Sequence, residues 1–139
     1  MAGLDFFDTN ILVYAYDSHY PDKQKRAQDM VADAIRSENA MISTHVLGEF
    51  FTVVTKKIQQ PMSVNEAAEI VGYLALIDVL EIDLLIVKRA METVTTYNIS
   101  YWDSLIVAAA ERGRCETIIT EDLNDGQEYH GIKVVNPFS

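Results

Sequence analysis

Acidic residues stand beside apolar segments at four distant places in the sequence. Asp8 directly follows the apolar segment LDFF, and Asp122 follows TIIT after one further residue. Glu49 lies within VLGEFF, and Asp103 lies near the start of the predicted helix in WDSLIVAAAERG. In an open parallel sheet, ligands bind beyond the carboxyl ends of the strands. The helices that follow those strands begin at the same edge, so we expect these four carboxylates, which we call the acidic quartet, to converge there.

Three members of the acidic quartet also have an ordinary structural interpretation. Asp8 is placed to cap the helix that follows it or to form an Asx turn. Asp103 stands three residues after Ser100, which is the spacing of a capping-box pair. Asp122 precedes Asn124 and can simply begin a turn. Taken one at a time, these positions do not distinguish a cap from a ligand.

Glu49 is the member of the quartet whose surroundings are most apolar. Its segment, VLGEFFTVV, predicts a helix that is buried on most sides. Glutamate is rarely buried without a partner. The ordinary alternative is a salt bridge to a lysine or arginine, or a pairing with His45 one turn earlier.

Converging carboxylates repel each other and stay ionised only beside a cation. Oxygen ligands of this kind suit Mg²⁺ or Mn²⁺. Such ions can activate a water molecule and stabilise the charge that develops on a phosphodiester under attack. The quartet therefore predicts metal-dependent phosphodiester hydrolysis.

The elements that must position the quartet alternate between strands and helices along the chain. Predicted strands cover 4–7, 40–42, 79–82, 117–119 and 132–135, and predicted helices cover 10–16, 22–37, 44–58, 63–76, a segment after Asp83, and 103–113. The helix after Asp83 places Leu84, Val87, Met91 and Val94 along one stripe, and Gly113 is a plausible residue just past the end of the last helix. Alternation of this kind predicts a parallel sheet of about five strands, covered by helices on both faces.

Composition limits the class of protein. The 139 residues fit one domain, spanning 1–139, and 49% of them are hydrophobic. The net charge of −10 argues against holding nucleic acid through the overall field, although it does not exclude a nucleic-acid enzyme. Cys115 is the only cysteine, which suits a reducing cytosol. We find no signal peptide and no membrane-spanning run, so we expect a soluble, cytoplasmic protein.

Four stretches carry a resemblance to a known family. They read FFDTNILVYAYD, STHVLGEFF, ISYWDSLIVAAAERGRC and IITEDLNDGQEYHGIKVVNPF. Together they resemble the PIN-domain ribonucleases, and more specifically the VapC-like toxins of type II toxin–antitoxin systems, in order and spacing over nearly the whole chain. The resemblance implies a three-layer α/β/α sandwich and ribonuclease activity that depends on Mg²⁺ or Mn²⁺.

The same resemblance assigns roles to individual residues. The catalytic and metal-binding acids are Asp8, Glu49, Asp103 and Asp122, and the supporting polar residues are Thr9, Asn10 and Thr120. Glu121 and Asp125 flank Asp122, and either can share its role through a bridging water.

Contacts with substrate and partners are a further set of expectations. Trp102 is a candidate for stacking on an RNA base, and Arg112 and Arg114 are candidates for contacting phosphate. The resemblance implies a small antitoxin protein as partner, and a basic antitoxin tail suits the negative charge of this chain. It also implies a homodimer, for which the segment with Leu74, Leu76 and Ile77 is a candidate interface.

Two other classes of function remain open from the sequence. Asp8 after the first strand is also the position of the phosphoacceptor in aspartyl-phosphate phosphatases and receiver domains. The phosphatases have a second aspartate two residues later, where this chain has Asn10. The other alternative is a non-catalytic binding module with an acidic edge, which predicts that no divalent ion binds.

Overall fold

The computed structural model describes residues 3–139. The strands are β1 Leu4–Phe7, β2 Ala40–Ser43, β3 Asp78–Leu80, β4 Cys115–Ile119, β5 Glu128–Tyr129 and β6 Ile132–Val135. The helices are α1 Thr9–Tyr14, α2 Pro21–Ser37, α3 Thr44–Lys56, α4 Val64–Leu74, α5 Leu84–Tyr97 and α6 Tyr101–Arg112. All five predicted strands and six predicted helices are present, with shifts of a few residues at their ends. Within residues 3–139, every helix is too short or too polar to cross a membrane.

The strands form one sheet in the order β3-β2-β1-β4-β6-β5. Every neighbouring pair is parallel except β5 with β6, which is antiparallel. The sequence did not predict β5, because two residues are too few to carry an alternating pattern. It joins β6 through a tight turn at His130 and Gly131, both with positive φ.

The strand order places a crevice between β1 and β4. From β1 the chain passes to β2 and β3 on one side, then returns to β4 on the other side of β1. At such a switch point the flanking connections diverge, and this is where open α/β sheets bind ligands. A ligand site is therefore expected at the residues directly after β1 and β4.

Helices cover both faces of this sheet. Helices α1 to α4 pack on one another and against β2, whereas α5 packs on α6, which packs against β4 and β6. Right-handed connections between parallel strands put these two groups on opposite faces. The predicted three-layer α/β/α sandwich is confirmed.

Helices α3, α4 and α5 begin within one residue of the predicted positions. The side chains of Ser43, Ser63 and Asp83 each accept a hydrogen bond from the backbone N–H three residues later, at 3.2, 3.1 and 3.0 Å. Such caps satisfy backbone donors that a helix leaves free at its first turn. The last helix, α6, begins two residues before Asp103, because Ser100 is its cap.

Two details of the α5–α6 hairpin differ from the sequence prediction. The predicted α5 stripe is wrong, since Leu84 and Met91 are 65% and 58% exposed. The residues that α5 and α6 bury together are Ile86, Ala90, Leu105 and Ala108. Gly113 has φ −78, and the left-handed position is Arg114, with φ 58. A Cβ at Gly113 would meet the flexible end of the Met41 side chain, which would have to shift.

The segment predicted as a dimer interface is mostly core. Leu74 is fully buried and Ile77 is 3% exposed, while Leu76 is 66% exposed. Two of its three apolar residues are therefore used inside the chain and cannot contact a second copy.

Candidate metal centre

Asp8 lies at the crevice, directly after β1, and its side chain is only 5% exposed. Its Oδ1 accepts a hydrogen bond of 2.7 Å from the backbone N–H of Thr9, which makes Asp8 the cap of α1. Its Oδ2 accepts a hydrogen bond of 2.7 Å from the Thr120 hydroxyl. The two interpretations of Asp8 are thus compatible, since the cap orients a carboxylate that keeps further lone pairs.

Thr120 directly follows β4 and is fully buried. Besides donating to Asp8, its hydroxyl oxygen accepts from Asn10 Nδ2 at 3.2 Å and from the backbone N–H of Asp122 at 3.1 Å. A hydroxyl has one donor and two acceptor positions, and all three are used here. Thr120 therefore joins the start of α1 to the loop after β4.

Thr9 contributes in a different way from Asn10 and Thr120. Its backbone N–H holds Asp8, while its buried hydroxyl has no hydrogen-bond partner among residues 3–139. A buried polar atom without a partner is uncommon and marks a place where water or a ligand is expected. It adds an oxygen beside the quartet.

The charges of the quartet act on one another. Burial raises the pKa of Asp8 to about 7, opposed by its hydrogen bonds and reinforced by the charges of Asp122 and Glu49. Burial also raises the pKa of Asp103, again with contributions from Asp122 and Glu49. The same two carboxylates influence both groups, so the four share one electrostatic environment. No ion pair within residues 3–139 includes any of the four.

Glu49 differs from its prediction in one respect. Helix α3 buries one stripe, which consists of Val46, Phe50 and Val54, and Glu49 is exposed. The prediction of a helix buried on most sides is therefore wrong, because the apolar neighbours of Glu49 in sequence point elsewhere. Neither His45 nor any lysine or arginine of residues 3–139 pairs with Glu49.

A groove of about 540 Å³ opens beside the quartet. We call it the first groove, and its lining includes Thr9, Asn10, Tyr14, Tyr20, Glu49, Val53, Lys57 and Asp122. An elongated ligand in this groove would pass two members of the quartet. Asp8 and Asp103 do not line this groove.

The oxygen atoms of the quartet are of the kind that binds a divalent cation, but they are spread out and do not enclose an ion. Within residues 3–139, no three His, Cys, Asp or Glu side chains are gathered closely enough to enclose a metal ion. Mg²⁺ usually keeps several waters and takes only one or two carboxylates from the protein. Carboxylates without a paired cation, next to polar oxygens of Thr9 and Asn10, suit an ion held in that way.

Glu121 and Asp125 have other partners. The Tyr14 hydroxyl donates to Oε1 of Glu121, and Lys23 Nζ donates to Oε2 at 2.9 Å. Asp125 accepts from the backbone N–H of Asn136 at 2.8 Å. Both carboxylates that flank Asp122 therefore brace the loop after β4, and Asp122 is the one that faces the first groove.

The two arginines expected at phosphate lie away from the quartet. Arg112 donates to Asp83 at 3.0 Å and stands nine residues after Asp103 on α6, about 13 Å along the helix axis. Arg114 precedes β4, whereas Asp122 follows the opposite end of that strand. The structure does not bring either arginine to the quartet.

Trp102 precedes Asp103 on α6 and is 61% exposed. Its ring stacks on His45 of α3, with centroids 5.5 Å apart and planes 10° apart. Two residues of this region had no predicted contact with substrate: His45 was predicted only as a pairing partner of Glu49, and no role was predicted for Lys57. The available signal was their spacing from Glu49, at four and eight residues, which puts all three on one face of a helix.

Comparison with known proteins gives one family and several similar folds. A family model described as PIN domain matches residues 6–124. Among curated proteins, no sequence matches the chain significantly. A toxin–antitoxin complex from Klebsiella pneumoniae contains a chain with a TM-score of 0.69 and 22% identity, over 96% of this chain and 97% of that one.

Two further solved structures are similar at lower identity. VapC20 of Mycobacterium tuberculosis, described as a sarcin–ricin loop cleaving toxin, has a TM-score of 0.66 and 17% identity, over 93% of this chain and 98% of that one. VapBC2 of Rickettsia felis, solved with a fragment of promoter DNA, has a TM-score of 0.64 and 19% identity, over 94% and 96%.

Proposed function

The chain belongs to the PIN domain family, and from that premise we propose that it is an endoribonuclease dependent on Mg²⁺ or Mn²⁺. The observation that carries the proposal is the acidic quartet at the crevice between β1 and β4. Burial, reinforced by the charges of Asp122 and Glu49, raises the pKa values of Asp8 and Asp103, and none of the four is paired with a cation within residues 3–139. Such a set is electrostatically unfavourable alone and becomes favourable with a divalent ion.

Each proposed ligand has a distinct position. Asp8 is the buried ligand, held by Thr9 and Thr120. Glu49 and Asp122 approach from the groove side, and Asp103 approaches from the first turn of α6. When bound, the ion supplies stabilisation of the charge that develops on a phosphodiester during hydrolysis.

The supporting residues determine the orientation of these ligands. Thr120 ties the Asp8 carboxylate to the backbone of Asp122, and Asn10 donates to the same Thr120 hydroxyl. Polar groups that orient ligands in this way commonly change metal affinity 10–100-fold when they are removed. We assign Thr9, Asn10 and Thr120 this positioning role.

We propose that this ribonuclease acts as the toxin of a toxin–antitoxin pair. The similar solved structures include a toxin–antitoxin complex and a VapBC pair. The net charge of −10 and the unpaired quartet favour a small antitoxin that presents a basic segment to the first groove. Homodimerisation and a cytoplasmic location complete the proposal, and light scattering of the purified chain checks the dimer.

The test of the proposed function is cleavage of RNA by the purified protein. Single-stranded and structured RNAs are incubated with Mn²⁺ or Mg²⁺, and the ends of the products are mapped. Wild type is expected to cut at defined positions, and Asp103→Asn is expected to leave the RNA intact. Equal cutting by both proteins would overturn the assignment, as would labelling of Asp8 by acetyl phosphate without any cutting of RNA.

A further inference from the structure

We propose that Trp102 is a stacking platform for a base of single-stranded RNA and that Lys57 binds a backbone phosphate of the same strand. This inference rests on the proposed ribonuclease function and names how the substrate strand is held. It assigns two residues to substrate that lie outside the acidic quartet, one on each side of Glu49.

The indole of Trp102 is held in place on one face only. His45 lies parallel to it at 5.5 Å, and the Tyr101 ring meets it at 73° with centroids 5.0 Å apart. Even so, Trp102 is 61% exposed, so the face away from His45 is open to solvent. A ring fixed in this way offers a flat apolar surface that loses little side-chain freedom when a base stacks on it.

Helix α3 and its C-cap residue place Lys57 and the partner of the platform, His45, on either side of Glu49. His45, Glu49 and Val53 of α3 and its C-cap residue Lys57 follow one another at intervals of four residues, so each is the surface neighbour of the next. Each interval advances about 6 Å along the axis. Lys57 therefore lies about 12 Å beyond Glu49, and His45 with its stacked indole lies about 6 Å on the other side.

A continuous surface connects these residues. A second groove of about 440 Å³ is lined by His45, Glu49, Lys57 and Trp102, among others. Glu49, Val53 and Lys57 also belong to the lining of the first groove. A strand that passes Glu49 in the first groove can thus continue to the indole over the surface of α3 that the two grooves share.

The charge of Lys57 is available to a phosphate. No ion pair joins Lys57 to residues 3–139, whereas Lys23, near the first groove, is paired with Glu121 at 2.9 Å. In an acidic protein, an unpaired lysine at the groove offsets the repulsion between carboxylates and a phosphate backbone. Base stacking and one phosphate contact together favour a single strand, whose bases are free to stack.

Tryptophan fluorescence gives a direct test, because Trp102 is the only tryptophan. The Asp8→Asn protein, which is expected not to cut RNA, is titrated with oligoadenylate in the presence of Mg²⁺. A strand of the same length that carries ribose and phosphate without bases is the control ligand. Oligoadenylate is expected to quench the fluorescence with saturation, and the abasic strand is expected to leave it unchanged.

Variants separate the base contact from the phosphate contact. By anisotropy of labelled oligoadenylate, Trp102→Leu is expected to weaken binding roughly tenfold, whereas Trp102→Phe retains part of the affinity. Lys57→Gln is expected to lower the slope of log affinity against log salt by about 0.7. Tyr73→Leu and Lys88→Gln, at an exposed aromatic and an exposed lysine of other surfaces, are the matched controls and are expected to match the parent.

Three results would overturn the inference. They are equal quenching by the abasic strand, unchanged affinity of Trp102→Leu, and quenching by a basic peptide but not by RNA. The last result would make this surface a protein-binding site. If the wild-type chain leaves RNA uncut while oligoadenylate still quenches Trp102, only the proposed ribonuclease function fails.

Discussion

The Thr120 hydroxyl donates a 2.7 Å hydrogen bond to Oδ2 of Asp8, and this bond joins the ends of β1 and β4. The two residues are 112 positions apart in the sequence. Because the same oxygen accepts from the backbone N–H of Asp122 at 3.1 Å, one side chain positions two members of the quartet. The strand order, which makes β1 and β4 neighbours, is what allows this contact.

Replacing Thr120 by valine removes the hydroxyl and keeps the shape. Asp8 and the Asp122 backbone each lose a partner, so the free energy of unfolding is expected to fall by roughly 1–3 kcal/mol. Affinity for Mn²⁺ is expected to fall about 10–100-fold. Urea denaturation and titration calorimetry measure the two effects. Thr120→Ser keeps the hydroxyl and is expected to bind Mn²⁺ almost as wild type does, and a valine variant of unchanged affinity would show that Thr120 positions nothing.

The raised pKa of Asp8 predicts a specific dependence of stability on pH. Burial raises this pKa from 3.8 to about 7. Between those values the folded chain holds a proton that the unfolded chain has released, so the contribution of Asp8 to stability falls as pH rises from about 4 to about 7. Urea denaturation in the presence of a chelator measures the free energies of unfolding of wild type and Asp8→Asn across this pH range. The stability of Asp8→Asn relative to wild type is expected to increase with pH, on the order of a few kcal/mol. A difference that is constant with pH would contradict the burial of an ionisable group at this position.

Glu121 and Asp122 are adjacent in sequence but are expected to behave oppositely toward metal. Tyr14 and Lys23 occupy both carboxylate oxygens of Glu121, whereas Asp122 lines the first groove. Glu121→Gln is expected to bind Mn²⁺ within about threefold of wild type, and Asp122→Asn is expected to lose more than about tenfold. Calorimetric titration of the two variants with Mn²⁺ measures both affinities. A larger loss in Glu121→Gln than in Asp122→Asn would show that Glu121 is the metal ligand.

Arg112 is expected to serve the fold and not the substrate. Its guanidinium is paired with Asp83, the cap of α5, far along α6 from Asp103. Arg112→Gln is therefore expected to leave the affinity for oligoadenylate within about twofold of the parent and to lower the thermal midpoint, an effect that salt weakens. A marked loss of RNA affinity would show that this end of α6 contacts RNA.

The elements, and the places of the acidic residues beside them, could be predicted because their signals are local. Strand residues such as those before Asp8 are short apolar runs, and caps such as Ser43, Ser63 and Asp83 are single polar residues before helices. A carboxylate directly after a buried strand is readable in the same way. Parallel pairing then follows from the alternation of strands and helices.

The sequence could not predict which face of a helix is buried, because that depends on the elements that pack against it. The buried residues of α5, Ile86, Ala90 and Thr93, each lie one residue before a predicted one, because contact with small residues of α6 such as Ala108 decides which side is buried. The exposure of Glu49 has the same origin, since all of its neighbours are apolar and only the fold selects among them. The pairing of Arg112 with Asp83 joins residues 29 apart, and no sequence pattern specifies that choice.

The most direct test of the central claim is the rate of RNA cleavage as a function of Mn²⁺ concentration, with wild type, Asp8→Asn and Glu121→Gln compared on one RNA. Wild type and Glu121→Gln are expected to show a saturable dependence that chelator abolishes. Asp8→Asn is expected to be at least about 100-fold slower at saturating Mn²⁺, because the buried ligand that orients the ion is lost. Cleavage by Asp8→Asn at the wild-type rate, or cleavage that continues undiminished in chelator, would contradict a metal-dependent site built on the acidic quartet.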